Sequence, residues 1–193
     1  MARYPEGHKQ ETRDRILDAA ARRFKTDGLT GAGIGPVMAD AGLTNGGFYA
    51  HFASKEDLIC AVVRREIAAQ TAALSAHPAS PEGLVDALRA YLSARHRDDH
   101  AGGCPTAAMV EDIARAAPAV REAYGSAMTQ MVATLRAEGR VRSDLDDAAI
   151  LAALGALSGV LQMSRALPDP DVAAEVLKRG LMQALATLGA EPD

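Results

Sequence analysis

Thr44-Asn45-Gly46-Gly47-Phe48-Tyr49-Ala50-His51-Phe52-Ala53-Ser54-Lys55 is the stretch whose reading decides the fold. Upstream lies a short apolar segment, Ile34 to Ala41, closed by Gly42. A glycine just past the last apolar position accepts the left-handed backbone of a helix C-terminus. Thr44 then offers a side-chain oxygen to the free N–H groups of a following helix. Helix, glycine-containing turn and second short helix make a helix-turn-helix pattern. The second helix of such a motif enters the DNA major groove with its N-terminal residues facing base edges.

The residue types suit that role better than a core. Gly46 and Gly47 together cost roughly 2 kcal/mol relative to alanine inside a helix. Glycine does let backbone approach a ligand closely. Asn45 pairs with adenine and Thr44 reaches base edges or a phosphate. Tyr49, His51 and Lys55 are donors of the kind that position a protein on the phosphate backbone. Phe48 and Phe52, four apart, point back into the domain and hold the helix down.

Residues 12 to 58 resemble the DNA-binding domain of the TetR/AcrR family of bacterial transcriptional regulators. The resemblance is carried by Thr12 to Ala20, by Phe24 with Gly28 and Leu29, and by Val37-Met38-Ala39 with Ala41-Gly42-Leu43. It continues through Gly47-Phe48-Tyr49-Ala50-His51-Phe52 and Ser54-Lys55-Glu56. It implies an all-α chain: a three-helix helix-turn-helix domain over residues 1–53, with the motif at about 34–53, ahead of a larger ligand-binding and dimerisation domain over 54–193. It also implies phosphate contacts from Tyr49 and Lys55, with Thr44 to Gly47 on the bases. The chain departs from the family pattern at Ala32-Gly33 and Gly35-Pro36, where side chains that reach phosphates usually stand. Gly33 still caps and Pro36 fits a first helical turn.

Composition agrees with helices throughout: 48% of the 193 residues are hydrophobic and only 4% aromatic. The net charge of −4 conceals a division. Residues 1–57 hold eight Lys/Arg and eight Asp/Glu, and the remainder thirteen against seventeen. A neutral N-terminal part can present a basic face beside an acidic second domain. Cys60 and Cys104 are far apart with no metal-type spacing, which argues for a reducing cytoplasm and against a disulfide framework. The polar start, Met1 to Gln10, reads as no signal peptide, and the longest apolar run, broken by Ser158, as too short for a membrane span.

Along the chain, residues 1–11 are expected to be mobile, with Arg3, His8 and Lys9 near a phosphate or minor groove. A first helix runs from about Arg13 to Asp27, with Arg22, Arg23 and Lys25 on its solvated or DNA-facing side. Ser54 caps a long helix to about Ala76, with Asp57 completing the capping signal, and this helix links the two domains mechanically. Pro78 and Pro81 break the chain. Further helices are expected at Glu82–His96, Thr106–Ala114, Ala119–Glu138, Asp146–Leu167 and Val172–Leu188.

The last two helices are the most apolar. Leu154, Leu157 and Leu161 on the first, and Leu177, Leu181 and Leu188 on the second, form stripes expected to make a two-fold symmetric four-helix dimer interface. Tyr91, Cys104, Met109, Tyr124, Met128, Met131 and Met163 are the candidate walls of a small-molecule pocket, methionine being adaptable to varied apolar ligands. Cys104, between Gly103 and Pro105, is placed at a helix N-terminus, where a thiolate is favoured. The His96, His100 and Cys104 segment makes no convincing metal site, and nothing resembles a phosphate loop or catalytic triad. No cofactor or enzymatic activity is therefore expected.

The reading is a homodimeric, ligand-responsive, operator-binding repressor. An activator or effector-dependent binder of the same family is one alternative, and a thiol-based redox protein using Cys104 another. A helical small-molecule binder with a vestigial DNA domain is a third.

Overall fold

The computed structural model describes residues 6–189, so Arg3 lies outside the described part. Among these residues nine α-helices and one 3₁₀ helix follow one another without a strand. They are α1 (Glu6–Gly31), α2 (Ile34–Asp40), the 3₁₀ helix Asn45–Ala50, α3 (Lys55–Ser75), α4 (Pro81–Tyr91), α5 (Ala94–Asp98), α6 (Pro105–Arg115), α7 (Pro118–Ala137), α8 (Asp147–Ala166) and α9 (Pro170–Leu188).

Two boundaries differ from the sequence expectation. The first helix begins by Glu6, so residues 6–11 are helical rather than mobile. The helix expected over Glu82–His96 is two, because Ser93 turns its hydroxyl onto the His96 N–H and starts α5 afresh. A serine that caps competes with continuing the helix through it.

The apolar residues form two clusters. The first joins Ile16, Phe24, Met38, Phe48 and Phe52 of the N-terminal helices to α3, α6 and α7. The second lies among α4, α6, α8 and α9. Phe24, Phe48 and Phe52 are each at most 1% exposed. The last two stack at 5.8 Å between ring centroids, and the Arg13 guanidinium sits 4.1 Å over the Phe52 ring. Ser54 caps α3 by accepting the Asp57 N–H at 3.0 Å, and Asp57 returns a bond to the Ala53 N–H. At Thr44 the expected side-chain cap does not form. The Thr44 carbonyl instead takes the Gly47 N–H, as a three-residue helical pitch requires.

Several polar contacts tie the N-terminal helices to the rest, Arg65 with Asp18 among them, and two of these bear on the motif's setting. Lys25 is not on a DNA-facing side: its amino group meets Glu66 of α3 at 2.5 Å, with the lysine side chain 4% exposed. Near the end of α1 the backbone breaks at Gly28, whose φ of 77° suits glycine. The Leu29 N–H freed there donates to the Asp112 carboxylate of α6 at 2.8 Å. A Cβ on residue 28 would stand 2.7 Å from the same carboxylate, so the kink and the contact exist together.

Replacing Asp112 with alanine strands that N–H and should cost about 1–3 kcal/mol of stability in urea unfolding. Asp112→Asn, which keeps an acceptor oxygen, should recover much of the loss.

Candidate DNA-binding surface and internal cavity

The 3₁₀ helix owes its geometry to the two phenylalanines at either end of a five-residue span. With Phe48 and Phe52 fixed inside, Tyr49 between them is turned outward and is 72% exposed. Thr44, Asn45 and Gly46 are exposed at the N-terminal end of the segment, and Gly47 is half-buried. A Cβ on Gly46 would meet nothing within 4 Å, and one on Gly47 only the Met38 methyl at an ordinary 3.7 Å. The chain's own packing therefore gives no reason for either glycine.

His51 and Lys55 are placed differently from the exposed group. The His51 ring is partly buried, with Nδ1 left without a hydrogen-bond partner, and burial lowers its pKa. It is a neutral ring at pH 7 rather than a ready phosphate donor. Lys55 reaches back to the Thr30 carbonyl at 3.2 Å and so fastens the start of α3 to the end of α1. Arg23 is engaged by Asp27 and Asp40. Lys9 and Arg22 are exposed and make no ion pair among the described residues.

In the second half a cavity of about 390 Å³ opens among α3, α4, α6, α7 and α8. Four expected wall residues line it: Tyr91, Tyr124, Met128 and Met131. Three do not. Met109 is fully buried in the first apolar cluster, and Met163 is 61% exposed on the outer face of α8. Cys104 borders a neighbouring space of about 320 Å³ with Glu66, Gln70 and His96. Sequence reasoning missed Gln70, Thr106, Arg140 and Ser158, which also line the first cavity. Ser158, the single polar break in the apolar centre of α8, was the available signal. Arg140 gave none.

The polar groups of the cavity are largely satisfied by each other. Tyr91 and Ser158 hydroxyls lie 3.3 Å apart, as do those of Thr106 and Tyr124. Burial pushes both tyrosines above the ordinary phenol range, so they stay neutral. Arg140 donates to the carbonyls of Ser75, His77 and Pro78 at 2.7 to 3.0 Å and pairs with Glu138. That pairing holds the Glu138 carboxyl below its ordinary value.

Cys104 does cap a helix: its sulfur accepts the Ala107 N–H at 3.4 Å and lies against the Gln70 amide. It is 3% exposed, which closes it to solution reagents in this conformation. His96 holds the loop before it. One ring nitrogen accepts the Cys104 N–H at 3.0 Å and the other lies 2.6 Å from the Tyr91 carbonyl, which fixes a neutral tautomer. His100 is exposed, and no metal-holding cluster occurs among the described residues.

The leucine stripes expected at a dimer interface are internal. Leu157, Leu161, Leu177 and Leu188 are buried in the second cluster, and Leu154 and Leu181 pack partly against it. The helices α8 and α9 turn those stripes toward each other and the second cluster, and they pack so tightly that a Cβ on Gly180 would stand 2.5 Å from Val160. Apolar and small residues left outside on α8 include Leu151, Ala152, Gly155, Ala156, Gly159 and Met163, with Val172 and Met182 on α9 beside the exposed Glu175, Lys178 and Arg179. By length and hydropathy alone α8 passes for a membrane span, but a third of it is buried in protein.

These features define a helix-turn-helix domain set on a larger helical domain with an internal cavity. Residues 16–62 match the family model described as bacterial regulatory proteins of the tetR family. The regulator AcrR of Shigella flexneri is 43% identical over 58 residues, 30% of this chain and 27% of that protein. The repressor AcnR of Corynebacterium glutamicum is 33% identical over 88 residues, 46% and 44% of the two chains. These alignments span less than half the length of either relative. Across nearly the whole chain the fold superposes on a TetR transcriptional regulator from Chloroflexus aurantiacus. The TM-score is 0.67 at 26% identity, covering 93% of this chain and 95% of that one. Residues 16–62 thus carry the DNA-binding domain of the tetR family of bacterial regulatory proteins, and the chain as a whole shares the fold of TetR-family regulators.

Burial also lowers the His96 pKa, so the folded state resists a proton that the unfolded chain accepts near pH 6.5. Stability should therefore be full above that pH and fall as pH drops through it. Thermal melts between pH 7.5 and 5.5 should show the decline, and His96→Asn should flatten its share.

Proposed function

We propose that the protein is a homodimeric transcriptional repressor that a small molecule releases from a palindromic operator. The observation that carries this is the pairing of an outward, unpacked Thr44–Gly47 end and exposed Tyr49 with an enclosed cavity in the same chain. Thr44, Asn45 and the two glycines read bases, while Tyr49, with Lys55 after release from Thr30, holds phosphates. His51 supports the segment from beneath. Repression is favoured over activation by the named activity of AcnR. A cytoplasmic location follows from a DNA target, and no enzymatic step is required.

The dimer forms through the outer faces of α8 and α9. Leu151, Gly155, Gly159 and Met163 leave an apolar strip of small and large residues that a second copy covers. Two-fold symmetry then sets two motifs about one DNA turn apart. Ligand acts through α6 as well as α3. Thr106 stands at the cavity and Asp112 at the α1 kink, roughly 9 Å apart along the helix axis. A ligand that prefers one setting of α6 shifts the motif only by its difference in affinity between the two settings. In Asp112→Ala the ligand should still bind yet release DNA poorly, and unimpaired release would assign the coupling to α3 alone.

Purified protein should bind DNA flanking its own gene in the presence of competitor, with affinity falling as salt rises. Tyr49→Ala should weaken binding about tenfold on every sequence, the worth of one charge-assisted contact. Asn45→Ala should instead change which sequence is preferred. Binding equally tight to any DNA would remove the operator reading.

Sedimentation should show a dimer, and Gly159→Arg, on an open site of α8, a monomer that no longer binds the operator.

A further inference from the structure

The charge balance of the cavity points to the class of molecule it takes. Among its lining residues the sole charged side chain is Arg140. Its guanidinium already serves three backbone carbonyls and Glu138, so four of its five N–H groups are spent and its charge is neutralised. An anionic ligand would lose its hydration and find no unpaired cation. No carboxylate lines the wall, so a cationic ligand would fare no better. Burying an unpaired charge costs several kcal/mol.

The hydrogen-bonding capacity is small and specific. Ser158 spends its proton on the Leu154 carbonyl at 3.1 Å, so Tyr91 must be the donor in their mutual bond. The Tyr91 oxygen, which neighbours the Cys104 thiol as well as Ser158, then keeps acceptor capacity at the cavity wall. The Thr106–Tyr124 pair on another wall can rotate to give or take one bond. Leu88, Met128, Ile150 and Leu154 supply apolar wall between them.

Size follows from volume. At a liquid-like share of roughly 30 Å³ per heavy atom, about 13 non-hydrogen atoms fill the cavity. Entry lies beside α7, where the lining residues Gly125 and Thr129 are exposed and clear of the strip assigned to the dimer.

We propose that the effector is a small uncharged molecule, mostly hydrocarbon, whose single hydroxyl donates to the Tyr91 oxygen. This rests on the ligand-responsive reading above, but its chemistry can be tested apart from DNA. The probes are 2-naphthylmethanol, 2-naphthoate and 2-naphthylmethylammonium, which share a ring system and differ in charge. Calorimetry on the full chain at pH 7.5 should show the alcohol binding at least about tenfold tighter than either ion, the minimum expected of one unpaired buried charge. Tyr91→Phe should weaken the alcohol about five- to tenfold, as for one hydrogen bond, and leave naphthalene itself nearly unchanged. Gly125→Leu, exposed at the entrance, should weaken the alcohol and naphthalene together.

Equal or tighter binding of an ion, or no detectable binding of the alcohol at its solubility limit, overturns the proposal. An alcohol affinity unmoved by Tyr91→Phe overturns the assigned hydroxyl partner. DNA release is read separately, by anisotropy of labelled operator. Alcohol that binds in this pattern without releasing DNA leaves the ligand class standing and removes the repressor mechanism.

Discussion

Burial of three aromatic rings governs the N-terminal third of the molecule. Phe24, Phe48 and Phe52 are all the phenylalanines in the chain, and all three enter one small core. Fully burying such a side chain is worth roughly 1.5–3 kcal/mol. One of them lies inside a segment of only six residues and another lies two residues past its end, so the segment's orientation is decided by the rings rather than by its own weak helical hydrogen bonding. Tyr49 is outward because its neighbours are inward. Arg13 over Phe52 and onto the His51 carbonyl locks the same arrangement from the other side.

That core does not stop at the motif. It continues through α3 into α6 and α7, so the surface read as DNA-facing and the cavity rest on one continuous packed body. Polar ties cross beside it, among them Lys25 with Glu66, Arg65 with Asp18, Lys55 with Thr30 and Leu29 with Asp112. A packed interior moves between discrete arrangements rather than bending smoothly. Polar contacts at its margin are where two arrangements can differ at small energetic cost.

Local signals were readable in the sequence. The Ser54–Asp57 cap, the breaks at Pro78 and Pro81, and the inward pair Phe48 and Phe52 each depend on residues within a few positions. Thr44 misled because a 3₁₀ pitch brings its carbonyl, not its hydroxyl, to the free N–H. The stripes on α8 and α9 misled for a different reason. A helix apolar on nearly every side has no unique inward face, so Leu157 and Leu161 are indistinguishable by pattern from Leu151 and Met163. Contacts made across long sequence separations were illegible: nothing near Asp112 announces Leu29, and nothing near Arg140 announces the carbonyls of residues 75–78.

A cavity without net charge has one more consequence. DNA affinity rests on phosphates and their displaced counterions, and falls steeply with salt. Transfer of a neutral molecule into an apolar wall responds to ionic strength only weakly, through the solubility of the molecule itself. Under the function proposed above, the two halves of this chain would answer to different properties of the surrounding solution. Changes in salt that loosen a hold on DNA would leave the uptake of an uncharged effector almost untouched, so the chemical signal would be registered at nearly constant sensitivity while the threshold for release moved with the salt.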